Sequence, residues 1–196
     1  MHHIYHTEAF VLSSRNSREA DKVFTVFTKE LGLVRASATS VRKISSKLRY
    51  ALQDFSLARI DLVRGRETWR IISATPIKSV ISATSPTCGE RIKIIGNIFS
   101  LIKRLSHGEE ANEFLYEDLK RGIEMISTPA LSESELESVE SVLVLRILHH
   151  LGYFSHKPEL SLLVSGEISE NLLSIASTER VKIVAEINQA LRESQL

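Results

Sequence analysis

Apolar positions recur in short runs at intervals of one and two over the first 75 residues, and at intervals of three and four from residue 88 onward. Ile4 to Ser13 is rich in β-branched and aromatic side chains, and Arg15-Asn-Ser-Arg18 after it is turn chemistry. Asp21 to Thr28 is a second strand-like run, apolar on both faces. Gly32 suits a tight connection or a bulge, and Val34 to Thr39 forms a third strand. A fourth runs from Phe55 to Val63, and its alternation changes parity at Ala58, which marks a bulge. Arg64-Gly-Arg66 is a hairpin signal, and Thr68 to Ala74 makes a fifth strand. Five short strands separated by turns predict a small closed barrel. The insertion over 40–53 is long and polar, with Leu48, Ala51 and Leu52 spaced as one helical turn. An OB-type barrel carries its connecting segment at this place, between the third and fourth strands.

Pro76 and Pro86 bracket a Ser/Thr-rich stretch, beyond which the period is helical. Ile92, Ile95, Phe99, Ile102 and Leu105 form one apolar stripe, closed by His107-Gly108. Glu113 to Ile126 gives a second helix with Phe114, Leu115, Leu119, Ile123 and Ile126 inside. Ser132-Glu-Ser-Glu135 supplies a cap and N-terminal acids to a third, which runs through Val139, Val142, Leu143, Arg146 and Leu148 to Gly152. Glu170 to Ala176 and Arg180 to Leu191 are the last. The expected fold is α+β in two domains: a five-stranded OB-fold barrel over 1–78, a linker over 79–87, and an all-α bundle over 88–196.

Composition describes an ordinary globular chain of 196 residues, but its charge of +1 is a cancellation. Residues 1–80 carry 14 Lys/Arg against 7 Asp/Glu, and residues 81–196 carry 11 against 17. A basic binding module is thus joined to an acidic one. One cysteine, Cys88, excludes an internal disulfide and a multi-cysteine metal site. No secretory signal and no run long enough to span a bilayer is evident, so a cytoplasmic protein without a membrane role is expected.

No catalytic constellation emerges. The glycines build no phosphate loop. His2, His3 and His6 lack companions at ligand spacing, His149 and His150 are adjacent on a helix, and His156 lies beyond Gly152. Glu109, Glu110, Glu113 and Glu117 read as the outer face of one helix, and Glu133, Glu135, Glu137 and Glu140 as that of another. No enzyme, no metal and no cofactor is expected.

The binding signal is stronger. Between Glu30 and Asp54 there is no acidic residue, while Arg35, Arg42, Lys43, Lys47 and Arg49 are interleaved with small hydroxyl residues. Cations neutralise phosphates, and hydroxyls with free backbone N–H groups bond phosphate oxygens. These five are the principal candidates for binding a nucleic-acid backbone. Arg15 and Arg18 at the first turn and Arg64 and Arg66 at the fourth are secondary ones, expected near a common rim. Tyr50, Phe55 and Trp69 are aromatics suited to stacking, with barrel core as the plainer role for the last two. An OB-fold module for structured RNA, with the acidic helical domain as a protein dock, is the second function class.

Thr7-Glu-Ala-Phe-Val-Leu12, Glu19-Ala-Asp-Lys22, Phe27-Thr-Lys-Glu-Leu-Gly-Leu33, Val41-Arg-Lys43, Ser46-Lys-Leu48 and Val63-Arg-Gly-Arg66 together resemble the RecO recombination mediators. Leu145-Arg-Ile-Leu-His-His-Leu-Gly-Tyr153 resembles a segment of that family's helical domain. The resemblance implies an N-terminal OB-fold that binds single- and double-stranded DNA and anneals complementary strands. It implies a partnership with RecR in loading RecA onto strands coated by single-strand-binding protein, whose acidic tail meets the helical domain. The chain departs from the family in three respects. Leu162-Leu-Val-Ser165 stands where many members carry the first Cys pair of a zinc site, and no second pair follows. Thr39-Ser40 replaces a frequent Lys-Gly, and the C-terminal end is shorter.

Overall fold

The computed structural model describes residues 3–66, 68–79, 88–128, 131–155 and 157–194. Apart from Ser79, the expected linker lies outside these residues, as do His2, His156 and the side chain of Cys88. The chain forms two compact units: Met1–Ala83 with Ser106–Glu113, and Thr84–Leu105 with Phe114–Leu196. Among the described residues no helix is long and apolar enough to cross a membrane.

The first unit is a closed barrel of β1 (Ile4–Asn16), β2 (Lys22–Thr28), β3 (Gly32–Ala38), β4 (Ser56–Arg64) and β5 (Trp69–Ser79), with α1 (Leu48–Ala51) between β3 and β4. Strand order is β1-β2-β3-β5-β4, with β3 and β5 parallel and β4 returning to β1. This is the OB-type arrangement. Closure depends on the length of β1, whose Ile4 to Val11 pair with β4 and whose Ala9 to Asn16 pair with β2, with an irregularity between Val11 and Ser13. The parity change at Ala58 is a register shift between Leu57 and Ala58 against β5. Strict alternation on β3 sends Val34, Ala36 and Ala38 inward and leaves Arg35 outside. Their partners in the core include Phe24, Ile60, Leu62 and Trp69.

Residues 106–113 return to the barrel. Gly32 has φ +66°, and a Cβ there would overlap the Glu110 carbonyl, so this turn must be glycine for two reasons. Lys29 pairs with Glu113 at 3.0 Å. Glu109 accepts the Trp69 Nε1–H at 2.7 Å and pairs with Arg64, whose guanidinium lies 4.9 Å from the Trp69 ring centroid. Glu109 and Glu110 therefore precede the helix instead of lining its outer face.

In the second unit, α4 (Glu133–His150) packs against α2 (Cys88–Leu105), α5 (Ser161–Ser165), α6 (Glu170–Thr178) and α7 (Arg180–Glu193). A full capping box between Ser132 and Glu135 starts α4. Hydrogen bonds from the Ser132 hydroxyl and backbone N–H hold the Glu135 carboxyl below its usual range. α3 (Glu113–Ile126) buries Tyr116 as well as the expected aliphatics, and Gly122 lets Leu143 of α4 approach closely. Two expected core positions are instead exposed, Phe114 at 77% and Ile92 at 38%. Both sit near helix starts, where the stripe's phase is set by neighbours. Arg91 is buried beside Ile92, donating to the carbonyls of Ile126, Thr128 and Leu131 and so closing the end of α3.

Arg146, with its side chain 2% exposed, is the second buried guanidinium. It donates to the Leu163 carbonyl at 2.9 Å, to the Gly166 carbonyl, and to Asp118 at 2.7 Å. His150 meets the other Asp118 oxygen at 2.8 Å. Burial acts to raise the Asp118 carboxyl. The His150 hydrogen bond and the Arg146 charge and hydrogen bond outweigh it, leaving the group below its usual range. The segment 162–165, where the family's first Cys pair would fall, is the short helix α5 with Leu163 and Val164 buried. Among the described residues no cluster of three His, Cys, Asp or Glu side chains could hold a metal ion.

Candidate nucleic-acid interface

Strand direction decides which basic residues share a surface. β1 and β3 are both antiparallel to β2, so the β1–β2 turn and the β3–β4 connection leave the same end of the barrel. They are bonded together there. The Arg42 amide donates to the Ala20 carbonyl at 3.0 Å and the Ser40 amide to Asp21 Oδ1 at 2.8 Å. Arg42 Nη1 donates to the carbonyls of Glu19 at 2.9 Å and Arg18 at 3.4 Å. Ser56, buried, donates to the carbonyls of Ala51 and Gln53, which fixes the far end of the connection.

This end gathers Arg18, Arg42, Lys43, Lys47 and Arg49, all exposed. Between the two connections lies a groove of about 240 Å³ lined by Lys22, Val41, Arg42, Arg49 and Leu52. Lys22 donates to Ser14 Oγ at 3.1 Å. Among the described residues none of these cations is in an ion pair, and the β1–β2 turn itself carries the acids Glu19 and Asp21. Ile44 and Tyr50 stand out beside them, 86% and 72% exposed. Arg42 has a second, structural task, because its guanidinium already bonds the β1–β2 turn.

A further part of the surface follows from register. Arg15 on β1 is opposite Val23, Val23 opposite Ser37, and Ser37 opposite Arg70 on β5. One outward row therefore crosses four strands with an arginine at each end, about 14 Å apart at ~4.8 Å per strand. Arg35 faces the same side two residues before Ser37, about 7 Å along β3. Arg70 and Lys22 are additions to the residues expected from sequence. The alternation Trp69-Arg-Ile71 carried a signal for Arg70, but its place beside Ser37 needed the β3–β5 pairing.

Arg64 and Arg66 lie apart from the first turn but next to Arg70, since Val63 is opposite Arg70 and Arg64 opposite Trp69. β4 is antiparallel to β1, so the β4–β5 hairpin is at the other end of the barrel from the β1–β2 turn, and the two turns do not share a rim. Arg64 is moreover paired with Glu109, while Arg66 is exposed. Trp69 is 4% exposed, packed edge-on to Tyr5 with ring centroids 5.0 Å apart, and so belongs to the core. Phe55 is half-buried at φ +62°, which leaves Tyr50 as the exposed aromatic of the three.

Residues 1–80 match the family model described as Recombination protein O N terminal. The chain is 26% identical over 174 residues to the DNA repair protein RecO of Alkaliphilus metalliredigens, covering 88% of this chain and 68% of that one. It is 31% identical over 160 residues to that of Heliobacterium modesticaldum, covering 81% and 54%. It is 30% identical over 175 residues to that of Desulforamulus reducens, covering 88% and 64%. The chain thus spans between about half and two thirds of these relatives' length. An OB-type barrel carries the residues that match the RecO N-terminal family, and with the helical unit after it the chain is similar to RecO DNA repair proteins over most of its length.

Proposed function

We propose that the protein is a non-enzymatic DNA-binding mediator of repair and recombination. It binds single- and double-stranded DNA through Arg15, Arg18, Arg35, Arg42, Lys43, Lys47 and Arg49, with Lys22 and Arg70 added and Arg66 more remote. What carries this proposal is the gathering of unpaired cations on two mutually bonded connections and one continuous sheet face. Repulsion between two phosphate backbones opposes their approach. A surface that neutralises both lowers that barrier, and complementary bases then pair without any covalent step. Partnership with RecR, contact with the acidic tail of single-strand-binding protein, and help in loading RecA belong to the same proposal, as does work in the cytoplasm on the nucleoid.

The test is annealing of complementary oligonucleotides, bare and coated with single-strand-binding protein. Lys43→Ala/Lys47→Ala/Arg49→Ala is the informative variant, because among the described residues none of the three exposed side chains is in a hydrogen bond or ion pair. Arg42→Ala confounds charge with the loss of its bonds to the β1–β2 turn. Annealing should slow at least tenfold in the triple variant. Wild-type rates in that variant would remove the surface from the mechanism. A strong preference for RNA over DNA of the same sequence would instead favour the RNA-binding alternative.

A further inference from the structure

The groove between the two bonded connections differs from the rest of the basic surface, because it is concave and has an apolar floor. Lys22, Arg42 and Arg49 converge on it while Val41 and Leu52, 3% exposed each, form its base. At about 240 Å³ it is smaller than the ~300–1,000 Å³ of sites that enclose a small-molecule ligand. There is room for a phosphate and its sugar. The bonds from Arg42 to the β1–β2 turn tie that turn to the β3–β4 connection at one wall of the groove.

Three cations around one small groove exceed what a phosphodiester, with a single negative charge, can balance. A terminal phosphate monoester carries about −1.5 to −2 at pH 7, with a second pKa near 6. We propose that this groove is a pocket for the phosphorylated terminal nucleotide of a DNA strand. Arg49 and Lys22 hold the phosphate, Arg42 acts through its remaining N–H groups, and the sugar rests on Val41 and Leu52. The proposal rests on the DNA-binding function above and adds recognition of strand ends to it.

The experiment compares equal-length single strands with a 5′-phosphate, a 3′-phosphate or hydroxyl ends, and a circular strand, in equilibrium binding at fixed salt. One phosphorylated end should bind about tenfold more tightly than the hydroxyl-ended strand, as expected for one added charge-assisted hydrogen-bonded group. Which end carries the preference identifies the strand polarity. The preference should shrink as pH falls below about 6, where the monoester takes up its second proton. Arg49→Ala should abolish the preference, while the circular strand weakens only by the loss of one ordinary phosphate contact. Arg66→Ala, at the other end of the barrel, should leave the preference intact. Equal affinity for phosphorylated and hydroxyl ends, with DNA binding otherwise preserved, overturns the pocket and leaves the DNA-binding proposal standing. No binding to any of the four strands overturns both.

Discussion

Replacing Glu109 perturbs the barrel at a single well-defined node. Its carboxylate accepts the Nε1–H of Trp69 at 2.7 Å and pairs with Arg64, which in turn lies over the indole. Trp69 is 4% exposed, so in Glu109→Ala its N–H is left buried without an acceptor. A hydrogen bond to a charged group contributes ~1.5–3 kcal/mol when its loss orphans the partner. The Arg64 pair is about half exposed on the arginine side, so only ~0.2–1 kcal/mol is assigned to it. Together the loss is about 2–4 kcal/mol. With a urea slope of ~1.5 kcal/mol per molar for a small domain, the unfolding midpoint should fall by about 1.3–2.7 M. The chain has one tryptophan, so Trp69 fluorescence reports on this unit alone. Glu109→Gln separates the two parts, because its amide oxygen still accepts from the indole while the charge is gone, and should cost about 1 kcal/mol. Equal midpoints for both variants and the wild type would refute the node. Equal losses in the two variants would refute the assignment of the larger share to the indole bond.

Gly32→Ala should destabilise the barrel by at least ~2 kcal/mol, from the left-handed backbone alone and then from overlap with Glu110, read as a lower thermal midpoint by Trp69 fluorescence. Asp118→Asn leaves the Arg146 guanidinium buried without its counter-charge and should cost the helical unit about 3 kcal/mol, measured by far-UV circular dichroism during denaturation. In the wild type the Asp118 contribution is fully present above the unfolded carboxyl value near ~4 and is lost as pH falls through its lower folded value. Acid unfolding of that unit should therefore be steeper in the wild type than in Asp118→Asn. Gly122→Ala inserts a methyl group against Leu143 and should cost about 1–2 kcal/mol, despite the better helix propensity of alanine.

Local rules specified much of this fold. The Ser132 capping box, the limits of α3 and the irregularity at Ala58 are each set by a few neighbouring residues, and each was legible. What failed depended on contacts distant in sequence. Helical periodicity placed Ile92 and Phe114 inside. Burial of Arg91 against the end of α3 and of Tyr116 within α3 shows which faces the packing selects. Glu109 and Glu110 look like solvated helix acids until the Gly32 turn and the Trp69 indole are seen to receive their segment. In the candidate site, Arg42 to Arg49 stood out because no carboxylate interrupts them. Lys22 and Arg70 did not stand out, since only strand register brings them beside the others. The separation of Arg64 and Arg66 from the first turn likewise follows from β1 and β4 being antiparallel, which turn residues do not encode.

The most direct measurement is the salt dependence of single-strand DNA affinity, taken for the wild type and for Lys43→Ala/Lys47→Ala/Arg49→Ala. With about five phosphates engaged and a slope of ~0.7 per contact, log affinity against log salt should fall with a slope near −3.5. The triple variant should flatten it by about 2, since three contacts are removed. A wild-type affinity independent of salt, or a variant with the wild-type slope, would contradict the assignment of this surface to the DNA backbone.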